Sequence, residues 1–148
     1  MRHVIGFGNP LHGDDGFAAA VCEALQRLPL APDVLVFDAG TRGLDALALL
    51  ADCDEAILID AALPAGRPGC IAHPQAWEVI EEAGFSSHVS GVGAVLRALM
   101  SIDHAPPRIR LVTVEAERIT RFSPGLSKPM AAALRTVVAD LLQELSIP

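Results

Sequence analysis

The stretch that decides the fold is HVIGFGNPLHGDDG, residues 3–16. Residues 3–7 form a short apolar run that predicts a buried strand, and the Gly, Asn and Pro at 8–10 predict the turn that ends it. Beyond this loop, helical spacing places four apolar side chains on one face: Phe17, Val21, Leu25 and Leu28. Asp14 or Asp15 can cap that helix. The first unit is therefore strand, loop and helix.

The same unit recurs along the chain. A second apolar run, residues 34–37, ends at Asp38, and Thr41 can cap a helix through Leu50; a third run, residues 56–59, ends at Asp60. The later predicted elements are an edge strand near 70–72, a helix over 74–82, a helix that contains Val92, Leu96 and Leu99 and that Ser86 or Ser87 can cap, and a strand over 109–114. A final helix follows the start at 127–129 and places one apolar stripe at Met130, Leu134, Val137, Leu141 and Leu145. Charge-free strands alternating with amphipathic helices predict an α/β fold, a three-layer αβα domain over residues 1–148. We expect a twisted, mostly parallel sheet of about five strands with helices on both faces.

Charge and composition narrow the function. With 18 acidic against 11 basic residues, the chain has a net charge of −7, which would repel phosphate backbones, so we expect no nucleic-acid partner. No apolar run reaches the ~18 residues of a membrane span and no export signal is visible, so we expect no membrane partner. We also expect the protein to be cytoplasmic and monomeric. Three cysteines without C-x-x-C spacing predict reduced thiols that pack in the interior: Cys22, Cys53 and Cys70.

Acidic residues mark the carboxyl ends of three predicted strands, the edge at which such sheets bind ligands. Helix capping would explain one of Asp14 and Asp15 but not both, whereas a nearby cation would relieve the repulsion between the two carboxylates. Asp38 and Asp60 can each be a simple turn former. Asp60, however, is followed by two alanines that offer its carboxylate no local partner. The sequence therefore gives weak but concordant indications of a cation site.

The first loop does not fit a nucleotide-binding motif. The third glycine of G-x-G-x-x-G would fall on Leu11, and Asp14 and Asp15 stand where a Walker A motif has Lys and Ser or Thr. Paired carboxylates at a helix N-terminus would also repel a phosphate. We expect no nucleotide cofactor, and a nucleotide-binding module is the least favoured alternative, testable by whether any nucleotide raises the melting temperature.

Among the five histidines, His88 has the most distinctive setting. It follows two serines at the start of a predicted helix, where the positive end of the helix dipole favours the neutral, metal-binding imidazole. An exposed residue in a first helical turn would look the same. His3, His73 and His104 have the surroundings of surface or turn residues, and His12 lies in the first loop. Two strand-end carboxylates and one imidazole would form an open site suited to nickel or zinc, with positions left for substrate.

These residues lie in a pattern that resembles the hydrogenase maturation proteases, the endopeptidases that trim the C-terminal extension of the large subunit of nickel–iron hydrogenases. Residues 6–16 fit the family pattern G-x-G-N-x-L-x-x-D-[DE]-G, and residues 38–43 fit D-x-G-T-x-G. Residues 59–61 resemble its D-A strand end, residues 87–96 its histidine helix and residues 123–127 the segment before its last helix. The chain departs from the pattern at Ala18 and Thr113, where many members have glycine.

The resemblance implies a role for each candidate site residue. Asp15, Asp60 and His88 would be the ligands that recognise nickel, and Asp38, together with Asp15, would take part in cleavage. The nickel would arrive with the substrate, a large-subunit precursor already loaded with its nickel–iron centre. Binding of this nickel would show the enzyme that the precursor is loaded. Asp38 would orient or deprotonate the attacking water.

Two other functions stay open at this point. A self-contained metallohydrolase would keep its own zinc or nickel, which metal analysis of protein purified without chelator would detect. A non-catalytic chaperone would bind the loaded large subunit through the same three ligands. Replacing Asp38 separates the chaperone from the protease, because only a protease would lose cleavage while it keeps binding.

Overall fold

The computed structural model describes residues 1–83, 91–102 and 105–147. Its strands are β1 (Arg2–Phe7), β2 (Val34–Gly40), β3 (Glu55–Ala62), β4 (Ile71–Ala72) and β5 (Arg108–Glu115). Its helices are α1 (Phe17–Leu25), α2 (Ala46–Ala51), α3 (Ala76–Ala83), α4 (Val92–Met100) and α5 (Lys128–Leu145), with 3-10 turns at Gly13–Gly16 and Gly43–Asp45. Within these ranges, no helix is both long enough and apolar enough to cross a membrane.

The five strands form one sheet in the order β2-β1-β3-β5-β4. The β1–β2, β1–β3 and β3–β5 pairs are parallel, and the two-residue β4 pairs with β5 antiparallel. The predicted fold class is confirmed, including the short edge strand near residues 70–72. Because the four longer strands run in the same direction, their carboxyl ends lie at one edge of the sheet, where the loops after β1, β2, β3 and β5 begin.

Alternation along the strands creates two apolar cores, one on each face of the sheet. Val4 packs with α1 and α5, whereas the next residue, Ile5, packs with α2 and α4. The stripe predicted for α1 is buried in the first of these cores at Phe17, Val21 and Leu25, whereas Leu28 lies beyond the end of α1 and is partly buried. The stripe predicted for α5 is buried in the same core at Met130, Val137, Leu141 and Leu145, with Leu134 partly buried. This packing fixes each strand between two helical layers and so holds the carboxyl edge in place.

The predicted helix caps are wrong where the structure tests them. α1 begins after Gly16 without a side-chain cap. The Asp14 carboxylate instead accepts hydrogen bonds from the loop after β5, and the Asp15 carboxylate accepts one from the N–H of Asn9 in its own loop. Thr41 does not cap a helix through Leu50; this segment divides into the 3-10 turn Gly43–Asp45 and the six-residue α2. The caps proposed at Ser86 and Ser87 lie outside the described residues.

Two strands continue past the acids that were predicted to follow them. Asp38 lies inside β2, opposite Gly6, and Asp60 lies inside β3, opposite Thr113. Backbone pairing can continue because each carboxylate projects from the sheet and leaves the ladder hydrogen bonds intact. The acids therefore sit on strands, which position a side chain more firmly than a turn does.

His3 is also placed differently from its prediction as a surface or turn residue. It is buried in β1, where Nδ1 lies 2.9 Å from the carbonyl oxygen of Leu49 and the ring meets Phe37 edge-on. This polar side chain tolerates burial because the carbonyl of Leu49 gives it a hydrogen-bond partner.

Candidate active site

The loop after β1 places the Asp15 carboxylate above the carboxyl edge. The backbone N–H of Asn9 donates to Asp15 Oδ2 at 2.8 Å, and the Asn9 side chain accepts a hydrogen bond from the N–H of Leu11. Gly8 has a φ of +133°, and a Cβ at this position would overlap the backbone oxygen of Asp15. Only glycine allows this close approach, so Gly8 and Asn9 together fix Asp15. Both fall in the first motif, but the sequence did not assign either a role.

Asp60 lies near Asp15 and is partly buried. Burial, and secondarily the negative charge of Asp15, raise the pKa of Asp60 to about 8, although a hydrogen bond from the N–H of Ala61 opposes the shift. Across residues 1–83, 91–102 and 105–147, neither carboxylate forms an ion pair with Lys, Arg or His. The structure thus brings two of the three predicted metal ligands into one electrostatic environment that favours a cation or a proton.

Asp14, the other half of the acidic pair, belongs to the framework of the site. It is buried, and its carboxylate accepts four hydrogen bonds: from the backbone N–H groups of Glu117 and Arg118, and from the N–H and Oγ of Ser127. Burial acts to raise the pKa of Asp14, but the hydrogen bonds from Ser127, Arg118 and Glu117 outweigh it and leave the pKa below its usual value. Asp14 therefore ties the loop after β5 to the loop after β1. Sequence reasoning missed Ser127 as a partner, because the contact joins residues far apart in the chain.

Asp38 stands apart from Asp60 in the sheet. It is exposed on the edge strand β2, and its Oδ1 accepts a hydrogen bond from the N–H of Gly40 at 3.0 Å. By alternation it belongs to the face covered by α1, whereas Asp60 belongs to the opposite face. Asp38 lines a groove of about 390 Å³ between β2, α1 and the segment around Gly125. The structure thus leaves Asp38 open to a partner and separated from Asp60 by the width of β1.

Cys22 lines the same groove, where its thiol donates to the carbonyl of Phe37. Burial, and secondarily the charge of Asp38, raise the pKa of Cys22 to about 12, so the thiol stays protonated. Cys22, Cys53 and Cys70 are all free cysteines. These observations agree with the packing role predicted for Cys22.

His88, the third predicted metal ligand, lies outside the described residues. Within the part of the chain that the structure describes, no group of three His, Cys, Asp or Glu side chains is arranged to hold a metal ion. A complete three-ligand site at Asp15 and Asp60 would therefore need a further donor from elsewhere. The role of His88 remains a prediction.

Residues 19–144 match the family model described as hydrogenase maturation protease. The Hydrogenase 2 maturation protease of Escherichia coli is 30% identical to this chain, and the match covers 93% of the chain and 88% of that protein. The hydrogenase expression/formation protein HoxM of Cupriavidus necator is 29% identical, with 97% of this chain and 74% of HoxM covered. The family match spans Asp38, Asp60 and position 88.

Solved structures give the same result. The hydrogenase-maturating endopeptidase HybD from E. coli superposes with a TM-score of 0.76 at 30% identity, covering 97% of this chain and 94% of HybD. A crystal structure of the Hydrogenase 3 maturation protease has a TM-score of 0.77 at 19% identity, covering 99% of this chain and 89% of that one. Because the identity to the Hydrogenase 3 maturation protease is only 19%, this second comparison shows a common fold and nothing further.

Proposed function

This chain belongs to the hydrogenase maturation protease family, and we propose that it is the endopeptidase that removes the C-terminal extension from the nickel-loaded large-subunit precursor of a nickel–iron hydrogenase. The observation that carries the proposal is the pair formed by Asp15 and Asp60 at the carboxyl edge. Two neighbouring carboxylates that pair with no cationic side chain among the described residues would be stabilised by a divalent ion, which would also favour ionised Asp60.

The nickel is part of the substrate in this proposal. Asp15 and Asp60 supply oxygen ligands and His88 supplies a nitrogen ligand, a mixed set that suits a borderline ion such as nickel. The precursor's nickel docks on these three residues, and a precursor without nickel lacks that anchor. Recognition of the metal thereby restricts cleavage to loaded precursor, and docking brings the scissile bond close to the catalytic groups.

We assign to Asp38 the role of orienting or deprotonating the attacking water. Asp15, one of the proposed metal ligands, would also take part in cleavage. An exposed carboxylate on a strand edge can accept a proton from water as that water attacks the scissile carbonyl, in the manner of an aspartic-type endopeptidase. The groove beside Asp38 has room for an extended segment of the precursor. Asp38 and the metal ligands thus act on different parts of the substrate, a proposal supported by the separation of Asp38 from Asp60 by β1.

The setting we propose is a monomer in the cytoplasm, with the hydrogenase precursor as partner and with no nucleotide, nucleic acid or membrane involved. The net charge of −7 supports the absence of a nucleic-acid partner.

The test is incubation with a nickel-loaded large-subunit precursor and with the same precursor free of nickel, read as the change in C-terminal mass. We expect wild type to release a defined peptide from the loaded precursor alone, and Asp60→Asn and His88→Ala to abolish this release. Asp140→Asn, which replaces an exposed acid on α5, is the matched control and should cleave like wild type. Equal cleavage of both precursors would disprove nickel recognition.

A second comparison separates a protease from a chaperone. Asp38→Asn should still bind the loaded precursor but should no longer cleave it. If wild type binds the precursor and never shortens it, the protein is a chaperone of the large subunit and the proposal fails.

A further inference from the structure

The carboxyl edge exposes large apolar side chains that the proposed chemistry does not use. Three of the loops that carry them are residues 8–16 after β1, residues 63–70 after β3 and residues 116–127 after β5. Each loop exposes one such side chain: Leu11 is 52% exposed, Leu63 73% and Phe122 79%. We refer to these three side chains as the edge patch. They lie on loops at the same edge as Asp15 and Asp60.

Phe122 adopts a backbone conformation that side chains disfavour. Its φ is +53°, the only positive φ at a non-glycine residue among those described. Its ring meets His12 edge-on, with the centroids 5.4 Å apart, and otherwise remains in solvent. Burial therefore does not offset the strain. Strain of this kind persists where the surrounding structure imposes it, commonly at binding and catalytic sites.

The loop that carries Phe122 is fixed at both ends. The Asp14 carboxylate binds the N–H groups of Glu117 and Arg118 at its start and both donors of Ser127 at its end. The loop is also packed against Gly13, where a Cβ would lie 3.2 Å from the N–H nitrogen of Thr120. The exposed ring is thus presented by a preformed loop, so a partner that binds it loses little conformational entropy in ordering the loop.

The loop after β3 joins the same surface. The N–H groups of Arg67 and Gly69 donate to Glu115, at the end of β5, through its side chain and its backbone carbonyl respectively. Asp14 thus links the loops after β1 and β5, and these hydrogen bonds link the loop after β3 to the end of β5. All three loops lie at the edge that carries Asp15 and Asp60, so a partner whose metal reaches these two acids approaches the loops as well.

We propose that Phe122 is the anchor by which this protein docks the folded body of the hydrogenase large-subunit precursor, with Leu11 and Leu63 completing the apolar contact. The inference rests on the proposed function, because that function brings a folded partner to this edge. Rigid aromatic side chains carry a large share of the binding energy in protein interfaces. A second copy of this chain seated on the edge patch would instead block Asp15 and Asp60 from the substrate.

The experiment measures KM and kcat for cleavage of the purified nickel-loaded precursor by wild type, Phe122→Ala, Phe122→Gly and Met100→Ala. Met100 is the matched control: it is 74% exposed and ends α4, the helix that precedes the amino end of β5, so it lies away from the edge patch. We expect the two Phe122 variants to raise KM about tenfold or more with kcat unchanged, as loss of an interface anchor does. Met100→Ala should match wild type.

Phe122→Gly is included to show whether a rise in KM comes from the missing ring or from a loss of structure. Glycine accepts a positive φ without strain, so its melting temperature should equal or exceed that of Phe122→Ala while its KM rises equally. If wild type cleaves and the Phe122 variants keep its KM, the docking inference is wrong and the proposed function stands. If wild type does not cleave, the proposed function fails. The docking inference is then tested by measuring how wild type and Phe122→Ala bind to immobilised precursor. If the two proteins bind equally, or neither binds, the docking inference is wrong as well.

Discussion

Asp14 and Asp15 are adjacent in the chain, but their carboxylates have opposite surroundings. Asp14 accepts four hydrogen bonds in a buried pocket, which favour its ionised form. Asp15 accepts one backbone hydrogen bond and its charge acts on Asp60. Asp14 therefore stabilises the fold, whereas the next residue, Asp15, is placed for binding.

We predict that Asp14→Asn lowers the free energy of unfolding by about 2–4 kcal/mol, because the amide presents donors to the N–H and O–H groups that the carboxylate satisfies. The pKa of Asp14 is lowered by folding, so its stabilisation is present above the usual carboxyl range and is lost as the pH falls through the folded pKa. Urea unfolding at pH 7 and pH 3 measures both effects. A loss of stability equal to that of Asp140→Asn would show that these bonds contribute nothing.

Asp60→Asn should have the opposite effect on stability. Because folding raises the pKa of Asp60 to about 8, the native state binds a proton that the unfolded state releases, and wild type loses stability as the pH rises from about 4 to 8. The variant lacks this loss. We expect it to be more stable than wild type at pH 8 by a few kcal/mol, since each pKa unit corresponds to about 1.4 kcal/mol, and little different at pH 4.

Urea unfolding of both proteins across this range provides the measurement. Parallel curves for wild type and Asp60→Asn would contradict the raised pKa. A variant that is more stable but inactive would show that the acidic pair is kept for function at a cost to the fold.

At the scale of elements, the sequence predicted the strands and the buried stripes of α1 and α5 well, because these depend on apolar spacing that the local sequence contains. It misplaced the helix caps and the ends of β2 and β3. The sequence predicts strand ends at Asp38 and Asp60, but β2 continues to pair with β1 past Asp38 and β3 continues to pair with β5 past Asp60. Pairing of that kind depends on neighbouring strands, which local sequence does not show.

Gly8 lies where β1 passes into the loop that follows it, and its close approach to Asp15 can be tested by substitution. Gly8→Ala should lower the free energy of unfolding by about 2–4 kcal/mol, since the new Cβ meets the backbone of Asp15 and the positive φ is strained as well. Gly66→Ala is the matched control. It also has a positive φ, but no atom lies within 4 Å of the new Cβ, so it should cost only about 1 kcal/mol.

Thermal unfolding compares the two glycine variants, and the cleavage assay shows whether Gly8→Ala also displaces Asp15. If the two substitutions cost the same, the close approach of Gly8 to Asp15 does not constrain the loop.

Over the whole molecule, two cores on opposite faces of the sheet share the stability. Val21 on α1 and Val95 on α4 are both fully buried, one in each core. We predict that Val21→Ala and Val95→Ala each cost about 1–3 kcal/mol, and that the double variant costs their sum to within about 0.5 kcal/mol.

Equilibrium unfolding in urea of the four proteins closes this cycle. A coupling energy well above 0.5 kcal/mol would mean that the sheet transmits strain between its faces. The additive result would instead show that the sheet separates the two cores energetically.

The site was predicted in part, and the reason is also one of scale. The sequence indicates Asp60 because it follows an apolar run, and it indicates Asp15 because this acid lies in an acidic pair in the loop after the first strand and fits the family pattern. The parallel sheet brings the two acids to one edge, where the charge of Asp15 acts on Asp60. The framework role of Asp14 depends on Ser127, and the presentation of Phe122 depends on Asp14. Contacts of such long range leave no periodic signal in the sequence.

The link between Asp14 and Ser127 joins residues 113 positions apart, and this bears on the order in which a newly made chain becomes active. Synthesis runs from the N-terminus, so the segment containing β1, β2 and β3 leaves the ribosome long before Ser127 does. During that interval the Asp14 carboxylate lacks its last partners and the loop after β5 does not yet exist. Completion of the site therefore comes late: a nascent chain cannot present its docking loop to a precursor until the start of its final helix has emerged and Ser127 can reach Asp14.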